Sequence, residues 1–334
     1  MQIPDNPKIK LYNYLLDLVD TKDGKGTSIY IRNAKPFIED IWNEIIENVG
    51  RTFRVRETIP KLLDISYSVF YAYKNGRKSI PIQKLYKLIL VWKNYCKKSE
   101  KEVKDKWNQI FNNELEFCSR NRDQIVKLPK EITPKLSYLM GWLCGDGHFR
   151  STGGQYLIKI SEKSTKQLEK VIKPLIKELF NLNVNIYRRY KNGYAVQFSS
   201  KPVLRFLINV LKIKVGEIPE IVNILDEDNK KWFLRGIFDS EGYVNDDYEH
   251  NNHVIVISQS KKAFLMEVSE ILKELGIKCF SIVFHKTLLG KWYSLRIRKL
   301  SELVNFSKTI GSSHIDKSRK LQSLVMKIEK SWNR

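Results

Sequence analysis

Two stretches of this chain decide its architecture: Leu136-Ser-Tyr-Leu-Met-Gly-Trp-Leu-Cys-Gly-Asp-Gly-His-Phe149 and Trp232-Phe-Leu-Arg-Gly-Ile-Phe-Asp-Ser-Glu-Gly-Tyr-Val244. Both are helix-compatible and end at a glycine, the residue suited to a helix C-terminus. Leu139, Gly141, Asp146 and Gly147 recur as Leu234, Gly236, Glu241 and Gly242, each 95 positions later. With a small insertion the offset continues: Ile160-Ser161 matches Ile257-Ser258, and Lys177-Glu178-Leu179 matches Lys273-Glu274-Leu275. Two copies of one supersecondary unit are therefore expected.

Each copy reads as a helix, two alternating strands, an amphipathic helix, two more strands and a closing helix. In the first copy Tyr156, Ile158 and Ile160 alternate with Leu157, Lys159 and Ser161, the pattern of a sheet buried on one face. Leu168, Ile172, Leu175, Ile176 and Leu179 then form one helical stripe. The second copy offers Ile255 and Ile257, followed by Phe264, Leu265, Val268, Ile271, Leu272 and Leu275. An antiparallel sheet covered by helices on one side leaves its other side free for a ligand.

In the quoted helices, Gly141 and Gly145, and Gly236 and Ser240, are small residues four apart, on one face of each helix. Packing through those faces brings Asp146 and Glu241 side by side at two helix C-termini. Two carboxylates there repel each other and oppose the negative ends of both macrodipoles. A hard divalent cation with oxygen ligands is the expected compensation. The bland alternative, an exposed turn aspartate before Gly147, loses weight because an acid recurs at the equivalent position.

In keeping the apolar, Gly-x-x-x-small, acidic-Gly pattern twice, the chain resembles the LAGLIDADG homing endonucleases over about residues 134 to 325. Gly216-Glu-Ile-Pro-Glu220 and His314 to Leu321 also look like parts of that family. The resemblance implies an α+β fold of two pseudo-symmetric αββαββα repeats, whose curved antiparallel sheets sit on double-stranded DNA, in a monomer acting as a pseudo-dimer. It implies Mg2+ or Mn2+ at Asp146 and Glu241, hydrolysis of both DNA strands, and an auxiliary basic or polar pair at the end of each second strand. Glu162-Lys163 and Gln259-Ser260 occupy those places. Lys163 fits a catalytic cation, or else a surface lysine; Ser260 departs from the pattern, with Lys261 displaced by one. Unequal nicking of the two strands is expected from that difference.

With Ile158, Ile186, Val196 and Phe198 taken as core, the free face carries Lys159, Asn185, Tyr187, Arg189, Lys191 and Gln197. In the second copy it carries Ser281, His285, Ser294, Arg296 and Arg298, with Gln259 and Lys261 as further DNA contacts. Arg, Lys, Asn and Gln suit base edges and phosphates.

Composition agrees. Lys and Arg number 59 against 37 Asp and Glu, a net +22 spread along the chain and interleaved with 16 Tyr and 7 Trp, which favours a polyanionic partner. The four cysteines, Cys96, Cys118, Cys144 and Cys279, lack paired spacing and read as reduced thiols. No apolar run approaches the ~20 residues needed to span a bilayer, so a cytoplasmic, nucleoid-associated protein is expected.

The N-terminal part reads as a mainly helical domain over 1–96, a charged connecting helix or linker over 97–133, then repeats over 134–220 and 221–334. A helix through Leu11 to Val19, a polar loop at Asp23 to Gly26 and apolar spacing from Phe37 to Ile46 are expected. Residues 58–90 resemble a phage-repressor-like helix-turn-helix: Ser66 caps a helix to Tyr73, Asn75-Gly76 ends it, and another begins at Ile80. Ser66, Tyr67, Ser68 and Tyr71 would face a major groove, with Arg77 and Lys78 near phosphate; an ordinary basic helical bundle is the alternative. A Met start and a Ser-Trp-Asn-Arg end, without Cys or Ser first or His-Asn last, disfavour an intein. A transcriptional regulator or an intron RNA maturase built on the same fold remains open.

Overall fold

The computed structural model describes residues 3–19, 28–49, 53–119, 124–152, 155–189, 193–247, 252–278, 281–288 and 290–332. The N-terminal part opens with β1 (Ile9–Lys10) and β2 (Tyr30–Ile31), followed by helices α1 (Lys35–Val49), α2 (Phe53–Leu62) and α3 (Tyr67–Lys74). The short β3 (Ile80–Pro81) leads into α4 (Ile82–Tyr95), α5 (Glu100–Asn112), β4 (Phe117–Cys118) and β5 (Glu131–Ile132). Ser66 caps α3 as expected, accepting the Val69 amide at 3.4 Å.

Two expectations are corrected here. Leu11 to Val19 is not a helix but two successive turns, closed by Asp17 N to Tyr14 O and Val19 N to Leu16 O. It is held from outside: Leu11 N donates to Lys130 O, Tyr14 OH donates to Pro129 O at 2.7 Å, and the Tyr14 ring meets Phe206 at 5.2 Å. Residues 97–133 contain the charged helix expected there, α5, but it is not simply solvated. The α5 helix is charged on its outer side yet buries Val103, Trp107, Ile110 and Phe111, while β4 joins the β3-β2-β4 sheet and β5 pairs with β1. One apolar core runs from Ile3 to Ile328, so the N-terminal part is welded to the first repeat. The loop at Asp23 to Gly26, like Lys191 and Cys279, lies outside the described residues.

The first repeat comprises α6 (Pro134–Asp146), β6 (Gly147–Thr152), β7 (Gln155–Glu162), α7 (Thr165–Gln167) continuing through a π turn into α8 (Lys173–Phe180), β8 (Ile186–Arg189), β9 (Gly193–Ser199) and α9 (Lys201–Arg205). Pro174 has no N–H to donate back along the middle helix, which accounts for the π turn before it. The second repeat comprises α10 (Glu227–Glu241), β10 (Gly242–Asp247), β11 (Asn252–Gln259), α11 (Lys262–Glu274), β12 (Ser281–Thr287), β13 (Gly290–Ile297) and α12 (Leu300–Thr309). A further helix, α13 (Ile315–Trp332), follows it. The sheet orders are the same in both copies, β6-β7-β9-β8 and β10-β11-β13-β12, with every neighbour antiparallel.

At the centre α6 and α10 cross. Thr133 caps α6 by accepting the Leu136 amide, Pro134 stands at its first turn, and every residue from Pro134 to Gly145 is buried. Asp226 caps α10, accepting the Asn229 amide at 2.8 Å, with Glu227 and Asp228 in the first turn where the helix dipole favours them. A Cβ on Gly141 would overlap the Phe233 carbonyl oxygen, and one on Gly236 would overlap the Tyr138 carbonyl oxygen and lie 2.8 Å from the Trp142 amide nitrogen. The two backbones are thus in direct contact. Polar pins fix the register: Ser137 donates to Asn229 at 2.8 Å and Tyr138 to Asp239 at 2.9 Å, all four residues buried.

In an ordinary helix Gly→Ala stabilises by up to ~1 kcal/mol. Gly141→Ala is expected to act with the opposite sign, costing about 1–3 kcal/mol through overpacking. A lowered urea midpoint checks this; an unchanged or raised one would mean that the backbones can part.

Candidate functional site

The crossing carries Asp146 and Glu241 to the final positions of α6 and α10. Asp146 is exposed and Glu241 half-buried. A Cβ on Gly145 would fall 2.7 Å from Glu241 Cγ, so the glutamate lies over the turn that ends in Asp146. Burial first, and the Asp146 charge second, push Glu241 up to about 7, against relief from Lys317.

That relief adds a cation from within the chain to the divalent ion expected from the sequence. Lys317, near the start of α13, donates to the Phe238 and Asp239 carbonyls at 3.1 and 2.6 Å, in the last turn of α10. Burial draws its ammonium below the usual lysine range, while Asp239, Glu162, Glu241 and Asp146 together resist that shift. Part of the compensation is therefore built into the chain. It is also one-sided: Cys144, the repeat equivalent of Asp239, offers its carbonyl to the Gly216 backbone amide at 2.7 Å. Lys317 lies within the segment singled out by the family resemblance, but nothing in its local pattern marks it.

Asp239 anchors the loop that leads into α13 and so sets the position of Lys317. Fully buried, it accepts from the Tyr138 hydroxyl, from the Ser313 amide at 2.8 Å and from the Ser312 hydroxyl; burial raises its pKa despite these bonds.

The closing loop of each repeat reaches the second-strand end of the other. His314, from the second repeat, faces Glu162 across 3.6 Å. Its Nδ1 accepts the Asp316 amide at 3.2 Å, which assigns the ring proton to Nε2 on the Glu162 side. Glu217, from the first repeat, pairs with Lys261 at 3.0 Å. Of the auxiliary candidates, Gln259 donates to Glu241 at 3.4 Å and accepts from the Ser260 amide and hydroxyl at 2.7 and 3.0 Å. Lys163 is exposed and lines a cavity of about 500 Å³ with Lys317, Lys320 and Tyr243, the last of these two positions beyond Glu241. The cavity thus sets Lys163 of the first repeat beside Tyr243 of β10, the strand that follows Glu241.

The sheet registers sort the expected DNA contacts by face. His148, Lys159 and Gln197 form one cross-sheet row, and Tyr187 shares their side. Arg189 does so by register, and Asn185 is exposed just before β8. Tyr243, Val256, Arg296 and Ser281 form the equivalent row in the second repeat. Arg296 is held in place there by donating to Ser294 at 3.1 Å and meeting His285 at 3.3 Å, and His285 stacks on Trp292 at 5.1 Å. Arg298 is exposed just past β13. Gln259 takes the opposite parity, toward the helices, and Lys261 follows the strand end. His148, Arg150 and Tyr243 on the free face escape sequence reasoning because β6 and β10 run on directly from the signature helices.

In the N-terminal part α2, a turn through Asp64 and α3 follow one another, and Ser66, Tyr67, Ser68 and Arg77 are exposed. Tyr71 is half-covered, its ring 4.4 Å from that of Tyr67 and 6.4 Å from Trp42.

Comparisons with known proteins fall on these same elements. Residues 135–216 match a family model described as the WhiA LAGLIDADG-like domain, and residues 228–311 match one described as a LAGLIDADG-like domain. The isomerizing glutamine–fructose-6-phosphate aminotransferase of Methanocaldococcus jannaschii is 26% identical over 337 residues, 96% of this chain and 28% of that protein. The chain therefore spans less than a third of that relative's length. Homing endonuclease I-ApeI of Aeropyrum pernix is 28% identical over 199 residues, 57% of this chain and 86% of the endonuclease. A solved structure of I-DmoI in complex with DNA and Mn is 25% identical, with a TM-score of 0.42, covering 55% of this chain and 98% of that one. No helix among the described residues is long and apolar enough to cross a membrane. With a family model on each repeat and an acid closing each of the crossed helices, the chain belongs to the LAGLIDADG family, in its two-repeat form.

Proposed function

We propose that the protein is a site-specific endonuclease that makes a staggered double-strand break in DNA at a long recognition site. The observation that carries this reading is the pair of carboxylates, one from each repeat, brought together at two helix C-termini beside a half-buried ammonium. The matched unit makes up most of I-ApeI but a minor part of the aminotransferase, which favours the nuclease over the sugar chemistry.

The donor set fits Mg2+ or Mn2+. Asp146 and Glu241 supply hard oxygen ligands, and Mg2+ is commonly held by one or two carboxylates, with waters and substrate phosphate completing its shell. Among the described residues no third His, Cys, Asp or Glu converges on them, so the remaining positions fall to water and DNA. Bound there, the ion would acidify a water and neutralise charge at the scissile phosphate.

The chain's own residues act around that centre. Neither neighbouring hydroxyl nor thiol suits covalent attack: Ser240 donates to its own helix at the Ile237 carbonyl, 3.0 Å away, and burial pushes the Cys144 thiol far up. Water is the nucleophile that remains. Lys317 holds positive charge where negative charge accumulates, Lys163 meets the backbone from the open side of the shared cavity, and Gln259 orients Glu241. The free faces of the two sheets, with Lys159, Tyr187, Gln197 and Arg296, lie along the duplex, and α3 extends the contact through Tyr67, Tyr71 and Arg77.

A DNA-binding regulator without catalysis is the second reading, favoured by the WhiA description of the first-repeat match. Cleavage decides between them. Screened with Mg2+ against a randomised duplex library, the wild-type chain is expected to yield cut products, whereas Asp146→Asn or Glu241→Gln binds without cutting. No products from the wild type would leave the regulator.

The raised Glu241 sets a pH dependence. Below about 7 it holds a proton that a divalent ion must displace, so Mn2+ binding should strengthen as pH rises toward 7 and level off above it. Calorimetry in buffers of different ionisation enthalpy should report about one proton released per ion at pH 6, and little release at pH 8. Without the ion, the same group makes the fold less stable as pH climbs from the usual carboxylate range to about 7.

Removing residues 1–130 would strip part of the shared core, so the N-terminal contact is better tested by substitution. Tyr67→Ala with Arg77→Ala should shorten the nuclease-protection footprint at one end while leaving Tm within a degree or so. An unchanged footprint would remove α3 from the interface.

A further inference from the structure

Residues 3–11 run across the opening turns of both crossed helices, at the ends farthest from Asp146 and Glu241. On the first repeat, Asp5 pairs at 2.8 Å with Lys135 in the first turn of α6, and β1 pairs with β5, the strand that leads into that helix. Lys8 faces Glu131 of β5 across 3.6 Å. On the second repeat, the side-chain amide of Asn229, in the first turn of α10, donates to the Pro7 carbonyl at 3.2 Å. Asn229 is fully buried, and it also accepts from Ser137 of α6 at 2.8 Å and donates to its own helix cap, Asp226, at 3.1 Å. One buried side chain therefore joins the N-terminal segment to both helices. Lys135 is nearly as deep, and a buried ammonium depends on its partners, here Asp5 and Glu178.

The arrangement works as a pair of scissors does. The two backbones touch at Gly141 and Gly236. Ser137 lies four residues before Gly141 and Asn229 seven before Gly236, about 6 and 10 Å of helix rise; each acid lies five residues beyond its glycine, about 7.5 Å. Stiff rods that touch at one point open or close at both pairs of ends together. A tie that holds the two opening turns at a fixed spacing also holds the two closing turns at theirs.

We propose that residues 3–9 form a strap that sets the spacing of Asp146 and Glu241 from the far end of the helix pair, with Asp5 and Asn229 as its positioning residues. The N-terminal part then has a task besides contact with DNA: it fixes the angle at which the repeats meet. The consequence for metal binding rests on the metal site of the proposed function, whereas the consequence for the helix ends stands without it.

The test compares two full-length charge reversals. Asp5→Lys and Glu178→Lys each take one exposed carboxylate from Lys135 and make the same change in net charge, but only the first drives the strap away from α6. Amide hydrogen exchange, followed without metal, should quicken several-fold at residues 143–147 and 238–242 in Asp5→Lys and keep the wild-type rate there in Glu178→Lys, with similar losses of Tm in the two variants. Calorimetric titration with Mn2+ should show several-fold weaker binding in Asp5→Lys alone. Exchange at those helix ends that is unchanged in Asp5→Lys, or quickened equally in both variants, overturns the strap. So does wild-type Mn2+ affinity in an Asp5→Lys chain whose helix ends exchange faster. Faster exchange in Asp5→Lys alone, with a wild-type chain that takes up no Mn2+, upholds the strap and sinks the metal site instead.

Discussion

The structure depends on one close approach. Because Gly141 and Gly236 carry no side chain, the Phe233 and Tyr138 carbonyls can occupy the space a Cβ would fill, and two helix backbones touch where globular helices usually stay 8–10 Å apart. Everything at the site follows from that contact. It makes two helix C-termini coincide, and with them two carboxylates and two sets of carbonyls that lack intrahelical donors. The sequence answers this crowding of negative charge in two ways, with a backbone amide from Gly216 at one terminus and the ammonium of Lys317 at the other.

Buried polar groups keep that arrangement in a single register. Asp239 is costly to bury, and its hydroxyl and amide partners come from both the facing helix and the closing loop. The loop, and the lysine it carries, are thereby tied to the helix crossing rather than left to find their place. The two acids are exposed or half-buried, while Ser137, Tyr138, Asn229 and Asp239, which pin the helix crossing, are buried.

How much of this is legible in the sequence depends on the physics involved. The repeat, both sheets and their buried faces are legible, because alternation and helical stripes record burial directly: Ile158, Ile160 and Val196 are buried in line with their spacing. The acids are legible because they recur at equivalent positions. Lys317 is not, since its importance comes from proximity in space to four carboxylates scattered along the chain. Residues 11–19 mislead for a related reason; their apolar spacing reports contacts with Phe206 and the backbone at Pro129 and Lys130, not a helix of their own. The α5 segment passes for a linker because its apolar side, though only four residues, is fully used.

The paired loop contacts, His314 to Glu162 and Glu217 to Lys261, have a consequence for how this chain can change. Each half closes over the other, and the two clasps differ in polarity: an acid on the strand and an imidazole on the loop in one, a cation on the strand and an acid on the loop in the other. Two copies of either half would bring like clasps together and forgo the mixed pairing. The halves are therefore freer to diverge in the sheet faces than at the clasps, where they are constrained to evolve jointly. Exchange of one half with a relative keeps a working centre when strand ends and closing loops travel as matched sets, which means cutting the chain at two places rather than at the repeat boundary alone.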